Sequence, residues 1–140
     1  VNELLVHLRA MQLFTHNAHN MCARLAFFQD HEFFGETYKS IENSYDDVIE
    51  RIIGLTSEDS VLSLQDIISR VDIKLKNAPS KSVKENLTFY TFLLEMETQL
   101  YVIIEKIITS KPTCGTEQLV GEIANQCEMC QYKIKQRIKR

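Results

Sequence analysis

Apolar residues return at intervals of three and four along almost the whole chain. Leu4, Leu8, Met11, Ala18, Met21 and Leu25 are spaced by threes, fours or their sums, which predicts a first helix over residues 2–24. Phe34, Tyr38, Ile41, Tyr45, Val48, Ile52 and Leu55 step by four and three in strict alternation, the seam of a packed bundle helix. That second helix is predicted over 30–53, with Gly54 just past its end. A polar stretch, Thr56–Ser60, can cap a shorter helix over 60–76 carrying Val61, Leu64, Ile67, Ile68 and Val71. After the loop Asn77–Ser82, with Pro79, a third long helix spans 82–109 and shows Leu87, Tyr90, Leu94, Tyr101, Ile104 and Ile108. Pro112 and Gly115 interrupt the pattern, and a fourth long helix over 115–138 carries Leu119, Ile123, Cys127, Cys130, Ile134 and Ile138.

Four long amphipathic helices and a short one read as an all-α four-helix bundle. The short helix lies between the second and third long helices. A connection of nearly thirty residues there can run the length of the bundle. That favours a ferritin-like topology over a simple up-down-up-down one. The 140 residues make one domain, 1–140, with no repeat and no low-complexity linker.

Composition narrows the function. With 44% hydrophobic and 25% charged residues the chain is neither disordered nor membrane-embedded. No window approaches the ~18 apolar residues of a span, and no signal-peptide pattern is visible. A net charge of -3 argues against a dedicated nucleic-acid binder. The basic end (Lys133, Lys135, Arg137, Lys139, Arg140) is the one segment that could touch DNA, and it equally suits the dipole of a helix C-terminus. Four scattered cysteines fit a reducing cytoplasm, and the Cys127–Cys130 CxxC, without a second pair or a nearby His, reads as core.

All four histidines, His7, His16, His19 and His31, lie in the first 31 residues, and the second helix carries Asp46, Asp47 and Glu50. Imidazole and carboxylate together suit iron, zinc or manganese. At ~100° per residue from Phe34, His31 falls at about 60°, Asp46 at about 120° and Glu50 at about 160°, on one flank shared with Ile49 and Ile53. A flank mixing apolar residues with acids reads as an interface. Along the helix, however, His31 and Asp46 are about 22 Å apart, too far to share an ion. His19 comes back beside His31 through the turn Leu25–Gln29. Each hairpin thus has a histidine end and a carboxylate end. Two copies packed antiparallel about a two-fold axis would join them into two identical shared sites. His7, His16 and Asp47 read as surface or satisfied residues. Glu95, Glu97 and Glu105 would be needed for a centre inside the bundle, but no His follows a Glu by three residues, so that centre is disfavoured.

The segment His19–Leu55 resembles the Dps family, the mini-ferritins. There a His is followed twelve residues later by a second, fifteen on by an Asp, and four further by a Glu that precedes Arg-Ile. Here the order is His19, His31, Asp46 and Glu50-Arg51-Ile52, with every interval kept. The resemblance implies that His19 and His31 of one subunit and Asp46 and Glu50 of its two-fold mate bind iron. It further implies a hollow dodecamer, Fe(II) oxidation by hydrogen peroxide and storage of a ferric mineral. The alternative is a ferritin-like assembly or binding module that keeps the shape and interface without the chemistry. Three positions depart from the family pattern. Asn20 stands where Trp is common, Arg24 where Gly is common, and Gly35 where a further acid is common.

Overall fold

The computed structural model describes residues 1–81 and 85–139. Its five helices are α1 (Asn2–Met21), α2 (Phe27–Leu55), α3 (Leu64–Lys74), α4 (Leu87–Thr109) and α5 (Cys114–Ile138), with a 3-10 turn at Glu58–Ser60. The bundle is the predicted one, with the short helix in the predicted place. The boundaries differ. The turn between the first two helices comes earlier than expected, so α2 begins before Gln29. Gly54 lies inside α2 rather than past its end. The short helix starts at Leu64, where Ser63 Oγ accepts a hydrogen bond from the Asp66 amide at 3.2 Å. Of the predicted start of the third long helix, residues 82–84 lie outside the described residues.

The helix directions follow from contacts at the two ends. Asp30, in the first turn of α2, meets Asn86 and Tyr90 at the start of α4 and Arg137 at the end of α5. At the other end Asn2 Nδ2 donates to the Ser60 carbonyl at 2.9 Å, which places the start of α1 beside the exit of α2. So α1 and α2 run antiparallel, α2 and α4 run parallel, and α5 returns antiparallel to α4. The link between α2 and α4 must therefore travel the length of the bundle, with α3 packed on α1 along the way. This is the ferritin-like crossover expected from the length of that connection.

The core follows the periodicity in α1, α2 and α5, but in α4 the buried stripe is turned to Phe89, Leu93, Met96, Leu100 and Ile103 beside the expected Tyr90 and Ile104, leaving Leu87, Leu94 and Tyr101 half-buried and Ile108 exposed, and Leu25, Leu64 and Ile68 are exposed as well. Leu4, Leu8 and Met11 of α1, Phe34 and Val48 of α2, Phe89, Leu93 and Ile104 of α4, and Ile123 and Ile134 of α5 are buried. Phe14, Phe34 and Phe89 meet edge to face at centroid distances of 6.2 and 6.1 Å, a favourable arrangement of ring quadrupoles. Among the described residues no helix is long and apolar enough to cross a membrane.

Two polar features cross this core. Asp30 is fully buried and accepts four hydrogen bonds: Asn86 at 2.7 Å, Tyr90 at 2.5 Å, and a bidentate pair from Arg137 at 3.0 Å each. Burial pushes its carboxyl up, but the donors, Arg137 first, outweigh this and hold it below the ordinary carboxylate range. Arg137, read from sequence as one of the basic-end cations, is thus tied inward, while Lys133, Lys135 and Lys139 stay exposed and Arg140 lies outside the described residues. His7 is also fully buried, the core reading of the two expected for it. Its Nε2–H donates to the Met96 carbonyl at 2.8 Å, while Nδ1 has no partner. Burial lowers its pKa to about 4, with nearby Lys74 pulling the same way and Glu3 opposing.

These two groups predict a stability curve with two descending limbs. As pH falls from about 6.5, where the unfolded imidazole takes a proton, to about 4, where the folded one does, His7 removes roughly 3 kcal/mol, offset in part between about 6 and 4.5 by buried Glu97, whose raised carboxyl takes its proton first in the folded state. Below about pH 4 the unfolded chain protonates its aspartates before folded Asp30 does, and the Asp30 contribution fades as its own carboxyl protonates. Urea unfolding across pH should show that His7→Leu flattens the first limb and Asp30→Asn the second. Asp30→Asn should also lower stability at neutral pH by up to about 3 kcal/mol, a ceiling because Arg137 remains about a third exposed.

Candidate metal centre

The site is built on the turn between α1 and α2. After Met21 the chain bends through two residues in the left-handed region, Arg24 at φ 67° and Ala26 at φ 64°. Arg24 thus adopts the backbone conformation that a glycine would take at lower cost, on the order of 1 kcal/mol. Asn86 clamps the bend. Its Oδ1 accepts from the Ala23 amide and its Nδ2 donates to the Ala23 carbonyl, each at 2.9 Å. The same Nδ2 also reaches Asp30. The buried carboxylate therefore fixes both the turn and the first residues of α2.

This turn brings the last turn of α1 against the first turns of α2, so that His19 and His31 stack with ring centroids 3.8 Å apart and planes 21° from parallel. Their bonding is reciprocal. His19 Nδ1–H donates to the His31 carbonyl at 2.7 Å, and His31 Nδ1–H donates to the His19 carbonyl at 2.8 Å. A carbonyl only accepts, so each Nδ1 carries a proton and, in the neutral ring, the lone pair lies on Nε2. Metal-binding imidazoles are prepared in this way, because the bond on one nitrogen sets the tautomer and aims the other.

The surroundings complete the seat. Phe27 stacks on His31 at 5.0 Å, and Tyr38 lies 5.4 Å from the His19 ring. His16 is half-buried and stacks on Tyr38 at 4.1 Å and 16°, so it belongs to this cluster rather than to open surface. Gly35 lies directly under His19. A Cβ there would stand 2.9 Å from both Cε1 and Nδ1 of that ring. The position where an acid is common in the resembling family is here kept empty to admit the imidazole.

Asp46 and Glu50 are exposed on the same continuous helix as His31. His31 and Asp46 are fifteen positions apart on unbroken α2, so the separation of about 22 Å holds. Asp47 is exposed as well. Among the described residues no three His, Cys, Asp or Glu side chains are grouped to hold a metal ion. One protomer therefore offers a histidine pair and, at a distance, an acid pair. Sequence reasoning did not find the roles of Asp30, Asn86 and Gly35. Only the appearance of Asp30 at the start of an otherwise half-apolar helix hinted at a buried anchor.

No protein-family model and no curated protein sequence matches the chain. Solved structures do. The Dps92 structure from Deinococcus radiodurans superposes with a TM-score of 0.77 at 23% identity, over 97% of this chain and 81% of that one. The DPS protein from Vibrio cholerae O1, described as a member of a broad superfamily of ferritin-like diiron-carboxylate proteins, superposes with a TM-score of 0.67 at 16% identity, over 99% of this chain and 86% of that one. The chain thus has the ferritin-like fold, in its Dps-like form with the short helix between the two halves.

The seat predicts that Gly35→Ala is not a mild change. The new methyl must push His19 aside, which breaks the reciprocal pair and costs about 1–3 kcal/mol by overpacking. Long-range proton–nitrogen correlation should show both rings as Nδ1–H tautomers in the wild type. In the variant the His19 Nδ1–H signal should lose its hydrogen-bonded shift. Unchanged His19 resonances would remove Gly35 from the site.

Proposed function

We propose that this protein is an iron-sequestering mini-ferritin that oxidises Fe(II) at sites shared between two subunits. The observation that carries the reading is the His19–His31 pair, locked by its own backbone into a form with both Nε2 lone pairs available. Such a pair is an incomplete site, and the ligands it lacks are the oxygen donors that α2 carries at its far end. An antiparallel dimer supplies them as the partner's Asp46 and the partner's Glu50. The iron is the substrate. Imidazole nitrogens hold Fe(II), while hard carboxylate oxygens favour Fe(III), so the mixed set lowers the cost of giving up an electron. With hydrogen peroxide as oxidant, two ferrous ions each give one electron. The O–O bond breaks, and two protons from solvent complete two waters. Exposed carboxylates then offer the ferric product places to deposit. The four cysteines, all free thiols, suit a reducing cytoplasm, and the fold supports a homo-oligomer, with a dodecamer as the closed assembly.

The departures at Asn20, Arg24 and Gly35, the last of which leaves no acid beside the histidines, support a second reading, in which the chain keeps the fold and the interface but only assembles. Complementation separates the two. A chain lacking both histidines and a chain lacking both acids should each fail to oxidise iron. Co-expressed, they should recover about a quarter of wild-type activity, because half of randomly paired dimers carry one intact site of two. Gel filtration of the same samples should show assembly near 196 kDa for twelve copies of the 16.3 kDa chain. Variants as active as wild type would refute the shared site, and assembly without any oxidation would leave the second reading standing.

A further inference from the structure

The flank of α2 that carries His31, Asp46 and Glu50 holds four more exposed side chains that neither the core nor the histidine seat uses: Phe28, Lys39, Glu42 and Ile53. At ~100° per residue from Phe34 they fall at about 120°, 140°, 80° and 100°, inside the arc between His31 and Glu50. Phe28 is 81% exposed and Ile53 45%, apolar surface at the two ends of a helix whose opposite face is already packed.

The order along this flank is self-complementary. It runs apolar, imidazole and cation, then anion, carboxylate and apolar: Phe28, His31, Lys39, Glu42, Glu50, Ile53. Phe28 with Ile53, His31 with Glu50, and Lys39 with Glu42 are each centred on one point, between Ser40 and Ile41. A second α2 turned about a two-fold axis at that point runs antiparallel and brings the members of every pair level, twice over. At ~1.5 Å per residue the two Lys39–Glu42 levels lie about 2 Å from the axis, the His31 levels about 14 Å and the Phe28 levels about 19 Å.

Charge selects the same register. Among the described residues α2 shows six exposed acids and one exposed cation, Lys39. Its other cation, Arg51, is half-buried and reaches Gly115 on α5. Two such helices repel unless each lysine meets an acid. Neither Lys39 nor Glu42 is in an ion pair among the described residues, and the Lys39 ammonium lies no nearer than 6.0 Å to the centre of the Tyr38 ring. A parallel pairing would set lysine beside lysine and leave both charges without a counter-ion.

We propose that a second copy of this chain covers the flank in this register, fixed by Lys39 against the partner's Glu42. Phe28 then packs on the partner's Ile53 one turn beyond His31 and forms an apolar cap that closes the outer end of each histidine site. The inference rests on the antiparallel dimer of the proposed function and adds what sets its register.

The register is read on the full chain without iron. In a Cys114→Ser background, which removes the one exposed thiol among the described residues, Phe28→Cys combined with Ile53→Cys should be joined into covalent dimers by a short bis-maleimide. Either substitution alone should not, because each residue then lies about 37 Å along the axis from its own copy. The same distance separates 28 from 53 within one chain, so the bridge can only join two chains. By sedimentation, Lys39→Glu and Glu42→Lys should each weaken dimer formation on the order of tenfold or more, as like charges meet at the axis. The chain carrying both should regain it. Cross-linking of the single cysteine variants, none of the double, or a charge swap that fails to rescue would overturn the register. Cross-linked dimers that oxidise no iron would refute the iron reading and leave the register intact. Complementing activity from dimers that do not cross-link would refute the register alone.

Discussion

Two hydrogen bonds, 2.7 and 2.8 Å long, hold the histidine pair on which the proposed site depends. They join the ring of each of two histidines to the backbone of the other, and they need the end of α1 and the start of α2 to lie at one fixed distance. Neither helix can set that distance alone. It is set by Asp30, one residue before His31, which the other half of the bundle grips through Asn86, Tyr90 and Arg137. A side chain at the C-terminal end of the chain thereby holds the geometry of a site built near its start.

The same clamp explains the topology. Asp30 can meet the beginning of α4 and the end of α5 together only if α2 and α4 start at the same end of the bundle. That demands the long crossover, and the crossover defines the ferritin-like form. The continuity of α2 follows from its unbroken seam of apolar residues. Because α2 is continuous, the acids stay a helix length away from the histidines. In the proposed site, one rigid helix carrying unlike candidate donors at its two ends is completed only where a second copy lies against it.

Much of this was legible in the chain. The alternating three-and-four spacing from Phe34 to Leu55 gave α2 its length and its buried face, because helical periodicity is a direct record of which side is packed. The sparse glycines and prolines marked the breaks near 112–115 and 77–80. The His19, His31, Asp46 and Glu50 intervals located the candidate donors, and the stacked pair is where they placed it. The pairing of subunits stands as a proposal.

What escaped sequence reading has a common cause. Asp30 and Arg137 are polar residues whose role depends on a contact 107 positions away, and periodicity carries no information about such partners. Arg137 read as one cation in a basic run, yet its guanidinium closes the bundle. Gly35 read as a lost acid, yet its missing Cβ makes the room that His19 occupies. Arg24 read as the loss of a turn glycine, yet the backbone keeps the left-handed bend without one. In each case the local signal was real and its meaning was set by packing.

The central claim is that iron binds between subunits, on nitrogen from one and oxygen from the other. Anomalous scattering at the iron edge, from crystals grown with Fe(II), tests it most directly. The account predicts a peak within bonding distance of His19 and His31 of one protomer, the partner's Asp46 and the partner's Glu50, related to a second peak by the two-fold axis. A dimer that leaves the histidine pair facing solvent with no peak, or iron found only at carboxylates elsewhere on the surface, would contradict it.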